Sequence, residues 1–475
     1  MKKVNIVTFL LLPIIVIAQT TFEKTFEGKG YAEGFAICET SDGEFVATGL
    51  TRPLDKDSVD IIAVKVDNQG QLQWSKIYGG DETDRAYAIL ATLNGACFIA
   101  GYTQSWGESG DCYLLKINAN GDTIWTKCYG RHMYDQASSM IETFDGKYVT
   151  AGYTEYGENG NYDVYLTKMD GNGQINWSKS LGEFSSEEGH AVIQAADSSF
   201  IIVGSQTVGT SSNKELMIMK TDTSGNVGWI KTYGGGKNDL ARSVKQLDDN
   251  GFIITGYTQS FGVNSYNVYL IRTDEKGDTL WTRVIGDATR SEGYDVIKTV
   301  DNSFIIVGVW DSNVLLMKTD TNGDTIWTRK YATESNGFEI GRSIRQTTDG
   351  GYVIGGYYND SPGYKLYIIK TDSEGLVTGI IYPNNQLVRN FYLHQNLPNP
   401  FNPCTVISWQ LAVSSDVDLS VYNLLGQKVA TIISGKQTAG YHEVEFNGQN
   451  LSSGVYLYRI EAGDWQDVRK MVLLK

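Results

Sequence analysis

The sequence predicts an all-β fold: a seven-bladed β-propeller followed by a small immunoglobulin-like β-sandwich. The first observation behind this is an internal repeat of about 52 residues. A turn glycine recurs at Gly70, Gly121, Gly173, Gly225, Gly277, Gly323 and Gly375, at spacings of 51, 52, 52, 52, 46 and 52 residues. Six of these turns lead, four residues on, to Trp74, Trp125, Trp177, Trp229, Trp281 and Trp327. The second is composition: 52 Gly against 7 Pro, with 29 Tyr, 10 Trp and 16 Phe, suits strands joined by tight turns. The third is that the periodicity stops after about Thr378, where a different set of alternating strands begins.

The chain opens with a targeting segment. Lys2 and Lys3 precede an apolar run from Val7 to Ile17, and Val16, Ile17 and Ala18 occupy the cleavage positions of a signal peptide spanning residues 1–18. The run is too short for a membrane anchor, and no Cys follows Ala18, which disfavours a lipoprotein. The mature chain is expected to begin near Gln19, to lack a transmembrane segment and to be monomeric.

Residues 19–378 carry the propeller. Each unit holds four strand-like runs separated by Asp-Gly, Asn-Gly and Gly-Asp steps, the chemistry of hairpin turns. They are the Trp run (74–78), a second run (86–89), a third ending in glycine (252–256) and a fourth (216–222) that is apolar on both faces. Such a run suits a strand covered on both faces. The second run carries Gly34, Ala86, Ala137, Gly189, Ala241, Gly293 or Gly341. Two residues later come Ala36, Ala88, Ser139, Ala191, Ser243, Asp295 or Ser343. Strand periodicity puts both positions on one face. Their small size places this strand at the central channel; the alternative is that they allow close packing between blades. With the second run innermost, the Trp run is outermost, and the seventh unit lacks one. Residues 22–26 align with the Trp run and are expected to pair with 366–371, closing the ring and removing an exposed edge. Copy six is 6 residues shorter, between Val309 and Asn313, which should notch the rim.

The net charge of −15, with no compensating basic run, excludes nucleic-acid binding. Of the five cysteines, Cys38, Cys97, Cys112 and Cys128 lie in apolar strand patterns and read as buried free thiols. One disulfide, Cys112–Cys128 or Cys97–Cys112, is the alternative. The Asp-x-x-Gly turns lack the distal Glu of a calcium loop and read as hairpin turns in which Asp caps its own backbone. Every fourth strand carries a basic residue: Lys65, Lys116, Lys168, Lys220, Arg272, Lys318 or Lys370. Its presence in all copies favours an ion-pair ladder between blades over a ligand-facing ring. None of His132, His190, His394 and His442 stands at metal-ligand spacing from another, so neither a metal nor a cofactor is expected. No nucleophile elbow or phosphate loop is present. Asp295 is the one deviation at a small-residue position.

The loops between third and fourth strands vary while the strands do not. They carry Trp106, Tyr156, Phe261, Trp310 and Tyr358 among small polar residues, which suits stacking on sugars or contact with a protein. The alternative is that these rings fold back over the blade ends. The glycine-to-Trp spacing resembles the tryptophan-docking repeat of quinoprotein propellers, but their cofactor ligands are not recognisable. The turn is also similar to the Asp-box of sialidase-type propellers and departs from its spacing.

Residues 379–390 read as a linker and 391–475 as a separate module. Strands are expected at 406–411, 417–422, 428–433, 442–446, 454–460 and 466–473, enough for a small sandwich. Its motifs are Asn396, Pro398, Asn399, Pro400, Phe401, Asn402 and Pro403, then Gly426 and Gln427, then Gly454, Val455 and Tyr456. In that order they resemble the C-terminal sorting domain of type IX (Por) secretion cargo. The resemblance implies Sec export, engagement of the type IX machinery through residues 391–475, and delivery to the outer-membrane surface or the medium. The expectation is therefore an exported, non-enzymatic propeller binding glycan or protein. The rival is an extracellular polysaccharide hydrolase or lyase working at the channel mouth, which would need a blade-specific cluster that breaks the repeat.

Overall fold

The computed structural model describes residues 20–377 and 392–475, except 29, 54–56, 108, 132–133, 156–160, 183–185, 210–212, 263–265, 333–336, 361–362, 394, 397, 412–414, 438–439 and 464. The signal segment, the linker, Tyr156, His132 and His394 lie outside the described residues. The chain divides into two compact units, Met1–Ile380 and Ile381–Lys475.

The first unit is a propeller of seven four-stranded antiparallel sheets. Six blades are consecutive in sequence, at residues 30–78, 84–129, 135–181, 187–233, 239–285 and 291–331. The seventh takes three strands from residues 338–371 and its outermost from Phe22–Phe26. That strand runs antiparallel to Gly363–Thr371, with Phe22 opposite Lys370 and Phe26 opposite Leu366, as the alignment to the Trp runs predicts. In blade 6 the second and third strands are joined by a two-residue turn at Asp311 and Ser312, both at positive φ (54° and 66°). This is the tight hairpin that the short sixth copy requires.

The inner strands are Gly30–Glu39, Asp84–Ala91, Asp135–Glu142, Glu187–Gln194, Asp239–Gln246, Ser291–Lys298 and Phe338–Gln346. Each packs against the next around the ring, and the last meets the first. The second run of each repeat therefore is the axial strand. The small residues, however, do not line the axis together. A Cβ on Gly34 would strike Gly356 and Leu366 of blade 7, whereas Ala36 packs with Cys97 and Ile99 of blade 2. Likewise Gly189 abuts Gly152 of blade 3, and Ala191 packs toward blade 5. The first small residue faces the preceding blade and the second faces the following one. This corrects the single-face expectation in favour of close blade packing.

The turn glycines link blades on the outside. Each sits at φ between 70° and 80° against an aromatic ring of the preceding blade. Gly121 meets Trp74, Gly173 Trp125, Gly225 Trp177, Gly277 Trp229, Gly323 Trp281 and Gly375 Trp327. Trp74 also donates from Nε1 to the Ala119 carbonyl at 3.0 Å. The turns themselves are Asx caps: Asp67 Oδ1 accepts from the amides of Gln69 and Gln71 at 2.9 and 2.8 Å, and Asp320 repeats this at Asn322 and Asp324.

In six of the seven blades the basic residue of the fourth run, which forms the third strand of the sheet, pairs within its own blade and not between blades. Lys65, Lys168, Lys220, Lys318 and Lys370 reach Asp42, Asp145, Asp197, Asp301 and Asp349 at 2.7–3.0 Å, and Arg272 pairs with Asp249. Each aspartate lies in the hairpin after the inner strand, so the pair staples that hairpin to the end of the third strand of the same sheet. Lys116 departs because its blade carries Asn94 there; it donates to the Gly171 carbonyl at 3.1 Å. Cys38, Cys97 and Cys112 are buried free thiols as expected. Cys128 is free but exposed, because it lies on an outer strand whose solvent face is uncovered.

The second unit is a sandwich of a three-stranded sheet (Tyr392–Leu393, Cys404–Leu411, Gly440–Asn447) on a four-stranded one (Ser415–Asn423, Lys428–Gln437, Gly454–Ala462, Trp465–Leu473). Trp409, Phe401, Tyr458, Leu419 and Met471 form its core. All six expected strands are present.

Candidate functional site at the axial mouth

In all seven inner strands the register slips by one residue between the two small positions. The extra residue has no cross-strand partner. It is Phe35, Tyr87, Ser138, His190, Arg242, Tyr294 or Arg342. A β-bulge turns its residue out of the pleat, and here five of the seven side chains meet neighbours from other blades around the axis. Phe35 stacks on Tyr87 at 5.6 Å and 16°. The Arg342 guanidinium stands 5.5 Å from the Phe35 ring centre and 4.2 Å from that of Tyr294, and Arg242 stands 5.0 Å from Tyr294. His190 Nε2 lies 3.7 Å from Glu188. Burial, then the nearby Arg242 and Lys214 cations, push its imidazole down to about 3, so it is neutral at physiological pH.

Two residues before the bulge, toward the loops joining second and third strands, stand Glu33, Arg85, Gln136, Glu188, Leu240, Glu292 and Ile340. Tyr31 donates to Glu33 at 2.6 Å, Lys214 pairs with Glu188 at 2.6 Å, and Arg290 pairs with Glu292 at 2.6 Å. Gln136 accepts from Tyr134 and Tyr153 at 3.0 and 3.1 Å and donates to Ser138 at 3.1 Å. Below the bulges Asp295 joins three blades. It accepts from Ser243 at 2.6 Å, from the Ile344 amide at 3.1 Å and from Arg345 at 3.1 Å, with Lys245 at 3.8 Å. Burial opposes ionisation, but Lys245 and Arg345 hold its carboxyl below the ordinary range. Lys245 keeps 36% of its side chain accessible, yet desolvation lowers its ammonium pKa.

The rim is organised by buried acids at the start of the inner strands. Asp84 Oδ2 accepts from the Gly80 amide and the Ser105 hydroxyl at 2.8 and 2.7 Å. Asp239 does the same with Gly235 and Ser260, at 3.2 and 2.5 Å. Each acid thus ties the entry loop of its blade to the loop between second and third strands (the loops read above as joining third and fourth runs).

Four of the aromatics read from sequence lie in the described residues, each with a ring or cation partner in its own blade. Trp106, 40% exposed, stacks on Tyr113 at 5.1 Å, and Phe261, 39% exposed, leans on Tyr269 at 5.8 Å. Trp310 ends the strand Phe304–Trp310 with Lys330 4.6 Å from its ring centre. Tyr358 is buried against Tyr367. These ring contacts lie within single blades. What sequence reading missed is the bulge ring; its signal is the one inner-strand position that changes character from copy to copy. No group of three or more His, Cys, Asp or Glu among the described residues is placed to hold a metal ion. No helix among them is long and apolar enough to cross a membrane.

In the second unit the motif residues tie down the chain end. Asn396 is fully buried; its amide donates to Tyr458 Oη at 2.7 Å and its Nδ2 to the Pro398 carbonyl and Thr405 at 3.0 and 2.9 Å. Asn399 Oδ1 accepts from Val472 at 2.8 Å, and Phe401 is buried and bridges to Leu473. The Pro403 carbonyl accepts from Gly448 at 2.8 Å. Gly426, at φ 77°, and Gln427 form a turn capped by Asn423, and Tyr456 donates to Ser452 at 2.8 Å. Pro400 follows a cis peptide bond; Asn402 is exposed, and Gly454 and Val455 are half-buried.

Residues 397–474 match the family model of the secretion system C-terminal sorting domain. The chain carries the tail of type IX secretion cargo and is exported to the cell surface or the extracellular space. No curated protein matches the sequence. Among solved structures, PorZ, a surface component of the type-IX secretion system of Porphyromonas gingivalis, is similar at TM-score 0.42 and 10% identity over 91% of this chain. This chain spans 58% of the PorZ chain. Drosophila Plexin A in complex with Semaphorin 1b is similar at TM-score 0.44 and 8% identity, over 74% of this chain and 86% of that one. A puromycin hydrolase S511A mutant gives TM-score 0.47 and 10% identity, over 80% and 58%.

Proposed function

We propose that this exported propeller is a non-enzymatic binding protein that holds a glycan or protein ligand at the axial mouth. One observation carries the reading. The inner strands repeat in their small residues and their bulge, yet the bulge residue itself is aromatic in three blades, cationic in two, and Ser or His in the others. A scaffold role is served by repetition, whereas recognition of an asymmetric ligand requires different groups around one axis. Trp106 and Phe261, on the same face, extend the contact surface outward. Binding of the purified protein to a glycan array and to proteins drawn from the producing organism's surface tests this reading. Capture of either, weakened by Tyr87→Ala, supports it; turnover of a polysaccharide without retention of any ligand sinks it.

A further inference from the structure

We infer that the axial mouth takes a carboxylate-bearing glycan, its carboxylate held by Arg242 and Arg342. The inference rests on the binding reading above and narrows its ligand. Both guanidiniums come from bulge positions and lie over the ring of Tyr294, at 5.0 and 4.2 Å from its centre. Each also contacts a second tyrosine: Arg242 lies 5.9 Å from the ring centre of Tyr257, and Arg342 donates to Tyr357 Oη at 3.4 Å. Neither has a carboxylate at ion-pair distance among the described residues, and the Nε of each is buried without a hydrogen-bond partner. Glu188 is paired with Lys214, Glu292 with Arg290, and Asp295 with Lys245 and Arg345, whereas Glu33 takes a hydrogen bond from neutral Tyr31 and acts on Arg342 only from beyond ion-pair distance.

Two half-buried cations over one ring, without a carboxylate partner, are an incomplete arrangement. An anion completes it, and a planar carboxylate fits the guanidinium fork through two parallel hydrogen bonds. The glycan part follows from the acceptors beside them. Glu33 and Glu188, both half-buried, can accept hydrogen bonds from sugar hydroxyls, donors that an inorganic anion such as phosphate offers far fewer of. A sugar acid offers one carboxylate and several hydroxyl donors in the same ring. Tyr87 and Tyr257, which are half-buried, supply flat apolar surface for that ring.

The test is calorimetric titration of the purified protein with an oligogalacturonate, and with the same oligomer methyl-esterified so that its charge is removed. The acid form is expected to bind and the ester to bind about tenfold more weakly or worse, with Arg242→Gln and Arg342→Gln each costing about tenfold. Arg242→Lys, which keeps charge and loses the fork, is expected to fall between. Lys76→Gln, on the outer surface, is expected to leave binding unchanged. Thermal unfolding of each variant separates lost folding from lost recognition. Equal binding of acid and ester, still lost in Tyr87→Ala, overturns the carboxylate inference and leaves the axial binding reading standing. Binding indifferent to every mouth substitution overturns both. Binding of an acidic peptide without any uronate, or binding of neither, overturns the glycan assignment.

Discussion

Phe22 packs its ring on Gly70, where a Cβ would stand 2.7 Å from the ring. This is the same docking that each Trp makes on the turn glycine of the next blade, carried out across the two ends of the propeller chain. The ring of blades is therefore closed twice by one strand, through its hydrogen-bonded pairing with blade 7 and through an aromatic contact with blade 1. Truncating Phe22, which is 5% exposed, removes the second closure and leaves a cavity beside Phe45. Phe22→Ala is expected to destabilise the propeller by about 3 kcal/mol or more, read as a lower denaturant midpoint. Phe22→Trp, which restores the ring of the other six blades, is expected to recover most of that loss.

The Asp295 cluster makes a second prediction. Asp295→Ala leaves Lys245 and Arg345 near the axis without their anion; because both cations are more than a third exposed, water screens part of the loss, and the cost is expected to be about 1 kcal/mol. Replacing all three with residues found at the same positions in other blades (Asp295→Ser, Lys245→Ile, Arg345→Ile) is expected to be close to neutral. Chemical denaturation of the single and triple variants checks this.

The blade staples predict how stability depends on pH. The Asp145 carboxyl is held down to about 2, first by the Thr143 hydroxyl and then by Lys168. Asp42 and Asp197 also reach about 2: burial opposes this, but Thr40 and Lys65 outweigh it at Asp42, and Lys220 and Ser199 at Asp197. An unfolded Asp titrates near 3.9, so the stabilisation is whole above about pH 4 and is lost as pH falls through about 2. Asp145 is half exposed, so solvent screening keeps its share below about 1 kcal/mol. Asp145→Asn is expected to lower the thermal midpoint at pH 7 and to converge on the parent protein near pH 2.

Export supplies a fourth prediction. Deleting residues 391–475 removes the sorting domain, and the truncated propeller is expected to accumulate in the periplasm. Asn396→Ala strips the donors that hold Pro398 and Thr405, and it should reduce export by unfolding the sandwich's entry. Fractionation of cells and medium measures both; surface display of the truncation at parental levels would contradict the assignment.

Much of this was legible in the sequence because it repeats. The spacing from Gly70 to Gly375 counts the blades, and the alignment of residues 22–26 with the Trp runs foretells the closure. The small residues identify the axial strand. Their facing was misread because a bulge inserts a residue between them: Gly34 and Ala36 share a face only in an unbulged strand. The same bulge conceals the candidate site. Phe35, Ser138, His190 and Arg342 share no chemistry, so no recurring motif marks the position. The exposed aromatics drew notice because loops carry function, yet Trp310 and Tyr358 belong to strands and pack into blade ends.

The claim that the axial mouth is the binding surface is tested most directly by ligand capture with paired variants. Tyr87→Ala and Arg342→Gln alter the mouth, whereas Trp106→Ala alters only the rim of blade 2. If the mouth recognises the ligand, the first two lose capture while keeping the parental unfolding midpoint, and the third retains most of it. Full capture by both mouth variants, with loss in Trp106→Ala, would move recognition to the rim and contradict the account.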